Sequence, residues 1–565
     1  MRLINSKKLL TYSTIIASLA FSSCQNSQKV YNPDYGNGYY ILTPPTAATP
    51  RINGAEIFGV RPNAPFLYTI AATGQRPMTF SAENLPKGLS LDKSTGIIKG
   101  CISDNTSKVQ KNYQTNIAIK EYKVKLTASN ALGSYSRDLT IKVGAEICLT
   151  PPMGWSSWIA TKKLVSQDKV LDNALAIKKL GLDRYGYNYV NIDDAWQGKR
   201  GGKYNAIMPN EKFPDIQALS DTIHAMGLKF GIYSTPWITS YAGYVGESSN
   251  HKNGYWDKSM LINFKNKDVE GMASRMGKYT FYDEDSRQWA QWGVDYMKYD
   301  WNPNDSLSIA TMSEALANSG RDIVFAISNS CPMEQGETCR RYAQVFRTGG
   351  DIRARWNTDG SHINLVDNYM HHNKWIKEGF EGCAGHIPDP DFLMVGLQKY
   401  GSKRALSADE LYSHVSSYAL WGAPFLLSCN LISDNDSGKI SNFGEFEKNL
   451  VTNLEILDID QDRLVKPGKE VYNKNGISII VKDLANGDKA FGIFNFNPQE
   501  VSDKAPSEDE ASTLVTISWK DLGLTGPQVF RDVWRQKNIG IYKNNFTAAV
   551  RPHGVVVIRA SRKNK

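Results

Sequence analysis

The sequence predicts a multidomain chain: a central (β/α)8 barrel, a β-sandwich before it and an antiparallel β-domain after it. Three observations predict this. Between about residues 148 and 462, apolar periodicity switches repeatedly between 3.6 and 2, and a glycine closes each helix-like run. On either side, residues 50–147 and 463–565 carry short alternating runs broken by turn residues, the pattern of all-β domains. Finally, 565 residues exceed what one ordinary domain packs around a single core.

The chain opens with "MRLINSKKLLTYSTIIASLAFSSCQ": a basic start, an apolar run from about Leu9 to Phe21, small residues, then Cys24. The run is shorter than the ~20 residues that span a bilayer and fits a secretory signal. Small residues directly before a cysteine resemble a bacterial lipoprotein signal over residues 1–24. This predicts an exported protein of the periplasm or outer membrane, held to the membrane only by a lipid anchor at Cys24. Phe21, three before the cysteine, is less usual there than leucine and leaves open cleavage without lipidation. Residues 25–49 lack periodicity and are rich in Pro, Asn, Gly and Thr, so they read as a linker. In the following sandwich, "YKVKLTASN" and "SRDLTIKVG" alternate as strands do, and "LPKGLSLDKSTGIIKG" (85–100) resembles an immunoglobulin-like (Ig-like) module.

The barrel units follow "LTPPMGWSSW". Val170, Ala174 and Ile177 repeat at helical spacing and stop at Gly181, before the strand-like "YNYVNIDDAW". Ile216, Leu219, Ile223 and Met226 stop at Gly227, before "LKFGIYS", and the helix "EDSRQWAQWG" precedes "VDYMKYDW". Successive βα units over about 300 residues predict the closed barrel rather than a doubly wound sheet, because no Gly-x-Gly-x-x-Gly follows a first strand. After Arg463, "ISIIVKDL", "KAFGIFNF", "TLVTISW" and "GVVVIRA" build the C-terminal domain.

Composition excludes several function classes. The formal charge of +9 is small for the length, and three of the positive charges (Arg2, Lys7 and Lys8) fall in the leader, so no nucleic-acid partner is expected. The basic run "GKRGGK" (198–203) lacks phosphate-loop spacing and reads as a solvated loop. Of the six cysteines after Cys24, none shows paired Cys-x2-Cys spacing, and Cys331 with Cys339 is spaced to close a short loop. Adjacent His371 and His372 diverge, so no metal is expected.

The chemistry concentrates at strand ends. In "YMKYDW" (296–301), positions two apart share a face, so a strand puts Lys298 and Asp300 on one side. That spacing alone fits a plain buried ion pair as well as a site. Other strand ends tip the balance: "NIDDAW" supplies Asp193 and Asp194, "GIYSTPW" supplies Tyr233, and "FRTGGDIRARW" supplies Arg347 and Asp351. Barrel enzymes keep their sites at the C-terminal ends of the strands. Carboxylates that accept from hydroxyls, beside tryptophans such as Trp158 that cover a sugar's C–H face, suit a sugar pocket. Two carboxylates flanking a glycosidic bond are the usual machinery of its hydrolysis. Lys298 beside Asp300 is expected to lower its pKa and keep it ionised, while Asp351 is expected to hold a proton.

"PPMGWSSW", "NIDDAW", "GLKFGIYS", "WGVDYMKYD", "FRTGGDI" and "PDPDFL" follow the order and spacing of glycoside hydrolase family 27, and the resemblance runs from about Pro151 to the C-terminus. The resemblance implies a retaining α-galactosidase acting on a galactose-containing glycan without cofactor. It makes Asp300 the nucleophile and Asp351 the acid/base, with Trp158, Asp193, Asp194, Tyr233, Lys298 and Arg347 around the sugar. It also implies the rivals α-N-acetylgalactosaminidase and β-L-arabinopyranosidase; a rival from another class is a catalytically dead carbohydrate-binding lipoprotein. Relatives that prefer arabinopyranose replace one aspartate of the Asp-Asp pair by glutamate, and this chain keeps both. It departs from the pattern where many relatives carry a disulfide, placing Tyr241 and Asn302 there. In the loop that reads the sugar's 2-substituent (327–335), Ser330 stands where a glutamate is usual. The stretch 243–285 is expected to reshape the outer subsites.

Overall fold

A computed structural model describes residues 30–563 apart from 104–119, 258–275, 358–362, 398, 401–403, 433–442, 499–503 and 508. The leader with Cys24 lies outside the described residues. Eight parallel strands form the centre: β1 (Met153–Ser156), β2 (Tyr189–Asn191), β3 (Lys229–Ser234), β4 (Tyr296–Asp300), β5 (Val324–Ser328), β6 (Val345–Arg347), β7 (Ile387–Asp389) and β8 (Phe425–Leu427). Their order is β7-β6-β5-β4-β3-β2-β1-β8, and a parallel bridge between Leu393 and Leu427 joins the two ends into a ring. Such closure is the (β/α)8 topology expected from the alternating periodicity.

The helix signals act where the sequence places them. Helix Gln167–Leu180 starts with the Ser166 hydroxyl accepting from the Lys169 N–H and ends at Gly181 in the left-handed region (φ 73°). Helix Ile216–Ala225 is capped by Asp215, whose carboxylate accepts from the Ala218 N–H. Val170, Ala174, Ile177, Ile216, Leu219 and Ile223 are buried against the strands in one continuous core. Each such large apolar side chain stabilises the fold by about 1.5–3 kcal/mol. Inside the barrel, Gly231 of β3 faces Asn191 of β2; a Cβ there would lie 2.1 Å from Asn191 Oδ1, so only glycine lets that side chain fill the space.

The N-terminal domain packs the sheet Ile57–Val60, Gly133–Val143, Lys120–Asn130, Thr79–Glu83 on a second sheet of Pro65–Thr69, Ile97–Cys101 and Leu89–Leu91. Their inward faces share Phe66, Phe80, Ile98, Val124, Leu126, Leu139 and Ile141. This sandwich sits on the N-terminal end of the barrel, opposite the strand ends that carry the site. Thr69 Oγ1 donates to the Gly227 carbonyl (2.6 Å), Asn53 Nδ2 to that of Arg184 (2.9 Å), and the Arg61 N–H to Asp322 Oδ2 (2.9 Å). The C-terminal domain is a six-stranded antiparallel sheet packed on a three-stranded one.

Two expectations change. Residues 30–49 are not a loose linker. Val30–Tyr31 pairs in parallel with Asn545–Val550, Tyr40 bonds Asp409, Tyr39 Oη donates to Leu406 O (2.7 Å), and Arg535 donates to Asp34 O (2.6 Å). Tyrosines without periodicity carry no strand or helix signal, yet their hydroxyls find acceptors on two other domains. Nor is "GKRGGK" a solvated loop. It enters the hairpin Gln197–Gly201 with Ala206–Pro209, and the Arg200 guanidinium, its side chain buried, forks onto Asp285 with both contacts at 2.7 Å. The partner lies 85 residues away, so local sequence cannot show that the charge is matched.

Candidate active site

The ends of β1 to β7 and the segments that follow them converge on one cleft of about 360 Å³, within the ~300–1,000 Å³ usual for small-molecule sites. Trp158, Asp193, Asp194, Lys298, Asp300, Arg347 and Asp351, singled out from the sequence, all line it. Tyr233 reaches it through Asp300.

The two aspartates follow the end of β2. The Asp193 N–H donates to Ser157 Oγ (2.9 Å), Oδ1 accepts from the Asp194 N–H (2.8 Å), and Oδ2 accepts from Lys298 Nζ (2.8 Å). Asp194 accepts from the Ala195 and Ala242 N–H groups at 2.7 and 2.8 Å. Burial nonetheless pushes its pKa up to about 6. Lys298 therefore does not pair with Asp300 two residues away; it bridges β4 to β2.

Asp300 is 8% exposed. Its Oδ2 accepts from Tyr233 Oη (2.9 Å), while Oδ1 has no hydrogen-bond partner among the described residues. Tyr233 thus fixes the carboxylate plane and leaves one oxygen free. Burial pushes the Asp300 pKa up to about 7, overriding the downward pull of Lys298. This corrects the expectation that Lys298 holds Asp300 low: desolvation of a carboxylate at the foot of the cleft outweighs one cation already shared with Asp193.

Asp351 sits higher, with half its side chain (51%) exposed. Enclosure raises its pKa, but Arg347, then Lys298 and Arg353, pull harder, and it lies below the ordinary carboxyl value. Arg347 Nη2 reaches Asp391 Oδ2 at 2.9 Å and Asp351 Oδ1 at 3.4 Å, and Nη1 reaches Ser328 Oγ at 3.4 Å. Asp391 also accepts from the Ile352 N–H (2.9 Å), which ties the segment carrying Asp351 to the chain after β7.

The structure adds residues that strand-end reasoning missed. Asp391, Phe392, Asn329, Arg353 and Tyr400 line the cleft, and Asp389 lies just behind. Asp391 and Phe392 fall within the "PDPDFL" motif, where alternation could have separated inward from outward positions; Tyr400 and Arg353 carry no local signal. Ser330 is not among the lining residues. Asn329, one residue earlier, is, and both take left-handed backbone (φ 69° and 61°) that turns the chain before the Cys331–Cys339 disulfide. Tyr241 and Asn302 also face the cleft. The described parts of 243–285 contribute no lining residue; 258–275 lie outside the described residues. Glu247 is instead anchored behind β4, accepting from Tyr299 Oη at 2.6 Å.

Two carboxylates in one cleft, two interstrand cations and aromatic walls at the C-terminal mouth of a (β/α)8 barrel define a glycoside hydrolase. Comparison with known proteins narrows this. The chain belongs to the alpha-galactosidase A family, whose model matches residues 150–260 and 260–462. The alpha-galactosidase C-terminal beta sandwich domain matches residues 474–560, and a "Putative Ig domain" matches 49–144. An alpha-galactosidase of Oryza sativa is 29% identical over 413 residues, 72% of this chain and 83% of that protein. An alpha-N-acetylgalactosaminidase of Gallus gallus is 26% identical over 441 residues, covering 72% and 92%. A crystal structure of a "putative alpha-galactosidase" from Bacteroides fragilis superposes with a TM-score of 0.74 at 26% identity, covering 93% of this chain and 99% of that one.

Proposed function

We propose that the protein is a retaining exo-glycosidase that removes terminal α-linked D-galactose by double displacement. The observation that carries this is Asp300: one oxygen pinned by Tyr233, the other buried and without a partner among the described residues, in one cleft with a half-exposed carboxyl. In the first step Asp300 Oδ1 attacks the anomeric carbon and forms a β-galactosyl ester, while Asp351 protonates the departing oxygen. In the second, Asp351 takes a proton from water, which attacks the same carbon and frees Asp300. Asp193, Asp194 and Lys298 accept from and donate to the sugar's hydroxyls, and Trp158 covers its apolar face.

Galactose is favoured over L-arabinopyranose because Asp193 and Asp194 are both short, leaving room and an acceptor for the C6 hydroxyl. A site built for a hydroxyl rejects an analogue lacking it by up to about 10⁴-fold. The test is kcat/KM on nitrophenyl α-galactoside, α-N-acetylgalactosaminide and β-L-arabinopyranoside, with proton NMR of the first product. The galactoside is expected to react fastest and to release α-galactose. A faster arabinoside, or β-galactose as first product, overturns the reading.

The pair also sets a pH profile. Between the lowered pKa of Asp351 and about 7, the two carboxyls together hold one proton, the number the first step needs. In the free enzyme that proton rests on Asp300. A bound leaving group covers Asp351 and raises its pKa, while positive charge growing at the anomeric carbon lowers that of Asp300, so the proton moves to where it is used. The proton count, not its resting place, governs kcat/KM. The alkaline limb is therefore expected near pH 7, and the acid limb below the ordinary carboxyl value of about 4. A rate still flat at pH 8.5 contradicts this assignment.

A further inference from the structure

At the cleft that holds the acid carboxyl stand two cations that the proposed hydrolysis does not use: Arg353, which lines it, and Lys162, packed on the lining rings of Trp158 and Tyr400. Lys162 follows the short helix Ser157–Thr161 in left-handed backbone (φ 50°), a conformation unfavourable for a non-glycine residue. Its Nζ lies 5.0 Å from the centre of the Trp158 ring and 4.6 Å from that of Tyr400, and donates to Tyr400 Oη at 2.8 Å. Arg353, two residues beyond Asp351, holds its guanidinium 5.3 Å from the same Tyr400 ring; its Nη1 donates to the Ile352 carbonyl at 3.3 Å. Trp158, Arg353 and Tyr400 line the cleft.

Neither cation has a carboxylate within ion-pair distance among the described residues. The cleft's own carboxylates are engaged elsewhere: Asp193 with Lys298, and Asp351 and Asp391 with Arg347. Lys162 feels this, its pKa pushed down to about 8 by burial and then by the charge of Arg353. Aromatic faces attract cations and hold them in place, but they do not neutralise them. Two like charges set around one ring, one on strained backbone, are poised for an anion to join them.

The side of the cleft follows from Asp351. The acid must stand beside the departing oxygen, and it is the half-exposed carboxyl at the mouth, whereas Asp300 lies at the foot. Arg353, on the same segment, flanks the leaving group rather than the terminal sugar. Resting on the galactosidase reading above, we infer that Lys162 and Arg353 on Tyr400 form a leaving-group subsite for an anionic sugar, one bearing a carboxylate or a sulfate. The guanidinium fork matches either group's oxygens, and Lys162 adds a point charge.

The test uses aryl α-galactosides whose para substituent is carboxylate, sulfonate or neutral carboxamide, hydrolysed by the full chain and by Lys162→Gln, Arg353→Gln and the double variant. Intrinsic leaving-group differences cancel when each anionic-to-neutral ratio of kcat/KM is compared between wild type and variant. The ratio is expected to fall about tenfold or more in the double variant, and to shrink for wild type in high salt as charges are screened. An unchanged ratio in the double variant overturns the subsite. The larger of the carboxylate and sulfonate ratios identifies the preferred anion. Failure of the galactosidase reading shows separately, as the neutral galactoside reacting more slowly than its N-acetylgalactosaminide or arabinopyranoside counterpart; the aglycone ratios are then measured on that faster sugar.

Discussion

Replacing Asp300 by asparagine is expected to lower kcat by about 10⁴-fold or more while leaving the protein folded. The amide keeps the shape of the carboxylate, and its oxygen still accepts from Tyr233 Oη (2.9 Å in the native protein). What disappears is the charge that attacks from Oδ1. The same substitution is expected to change stability in a pH-dependent way. Burial holds the Asp300 pKa at about 7 in the folded protein, against about 4 in the unfolded chain. Between those values the folded state binds more protons than the unfolded state, so this group's contribution to stability falls as pH rises from 4 to 7. Asparagine escapes that loss. D300N should therefore melt higher than wild type at pH 8, with the gain shrinking toward pH 4. Turnover within a hundredfold of wild type would remove Asp300 from the nucleophile's role.

Arg347→Met should be the most damaging substitution for stability around the site. Arg347 and Asp391 are both buried and 2.9 Å apart, with side chains 3% and 6% exposed. Removing one partner of a buried pair typically costs about 3–5 kcal/mol, because the other charge is left uncompensated. Burial already raises the Asp391 pKa and Arg347 is its largest opposing influence; without it, Asp391 takes up a proton more readily. The sign follows: the loss should be greatest at pH 8 and shrink toward pH 5, as Asp391 neutralises. Thermal melts at the two pH values measure it, and R347M/D391N, which removes both charges, should recover most of the loss. A deficit equal at both pH values would mean the damage comes from lost packing instead. Arg347 also pulls Asp351 down most strongly, so in R347M the acid limb of kcat/KM should move to higher pH.

Much of this site can be read along the chain because barrel geometry turns a local pattern into a position. Strand periodicity put Lys298 and Asp300 on one face, and the rule that barrel sites lie at strand C-termini gathered Asp193, Asp194, Arg347 and Asp351 from segments more than 150 residues apart. Glycine stops at Gly181 and Gly227 marked helix ends because only a residue without a Cβ takes left-handed backbone cheaply. Arg353, Tyr400 and Asn329 escaped notice because loops carry no period from which a direction can be inferred.

Residue types, spacing and motif order therefore specified the architecture, since it rests on covalent geometry and on the period of apolar side chains, and they brought both proposed catalytic carboxyls to one cleft. Which charge meets which depended on tertiary packing. Lys298 turned to Asp193 rather than Asp300, Arg347 joined Asp391 and Asp351, Arg200 found Asp285, and the tyrosines of 30–49 found acceptors on other domains. Protonation followed from those pairings. A neighbouring cation along the chain suggested an ionised Asp300, but a pKa responds to everything within a few ångströms, and the depth of the cleft outweighed the lysine. Desolvation is a property of the enclosing volume, built from several strand ends at once, and no window of sequence contains it.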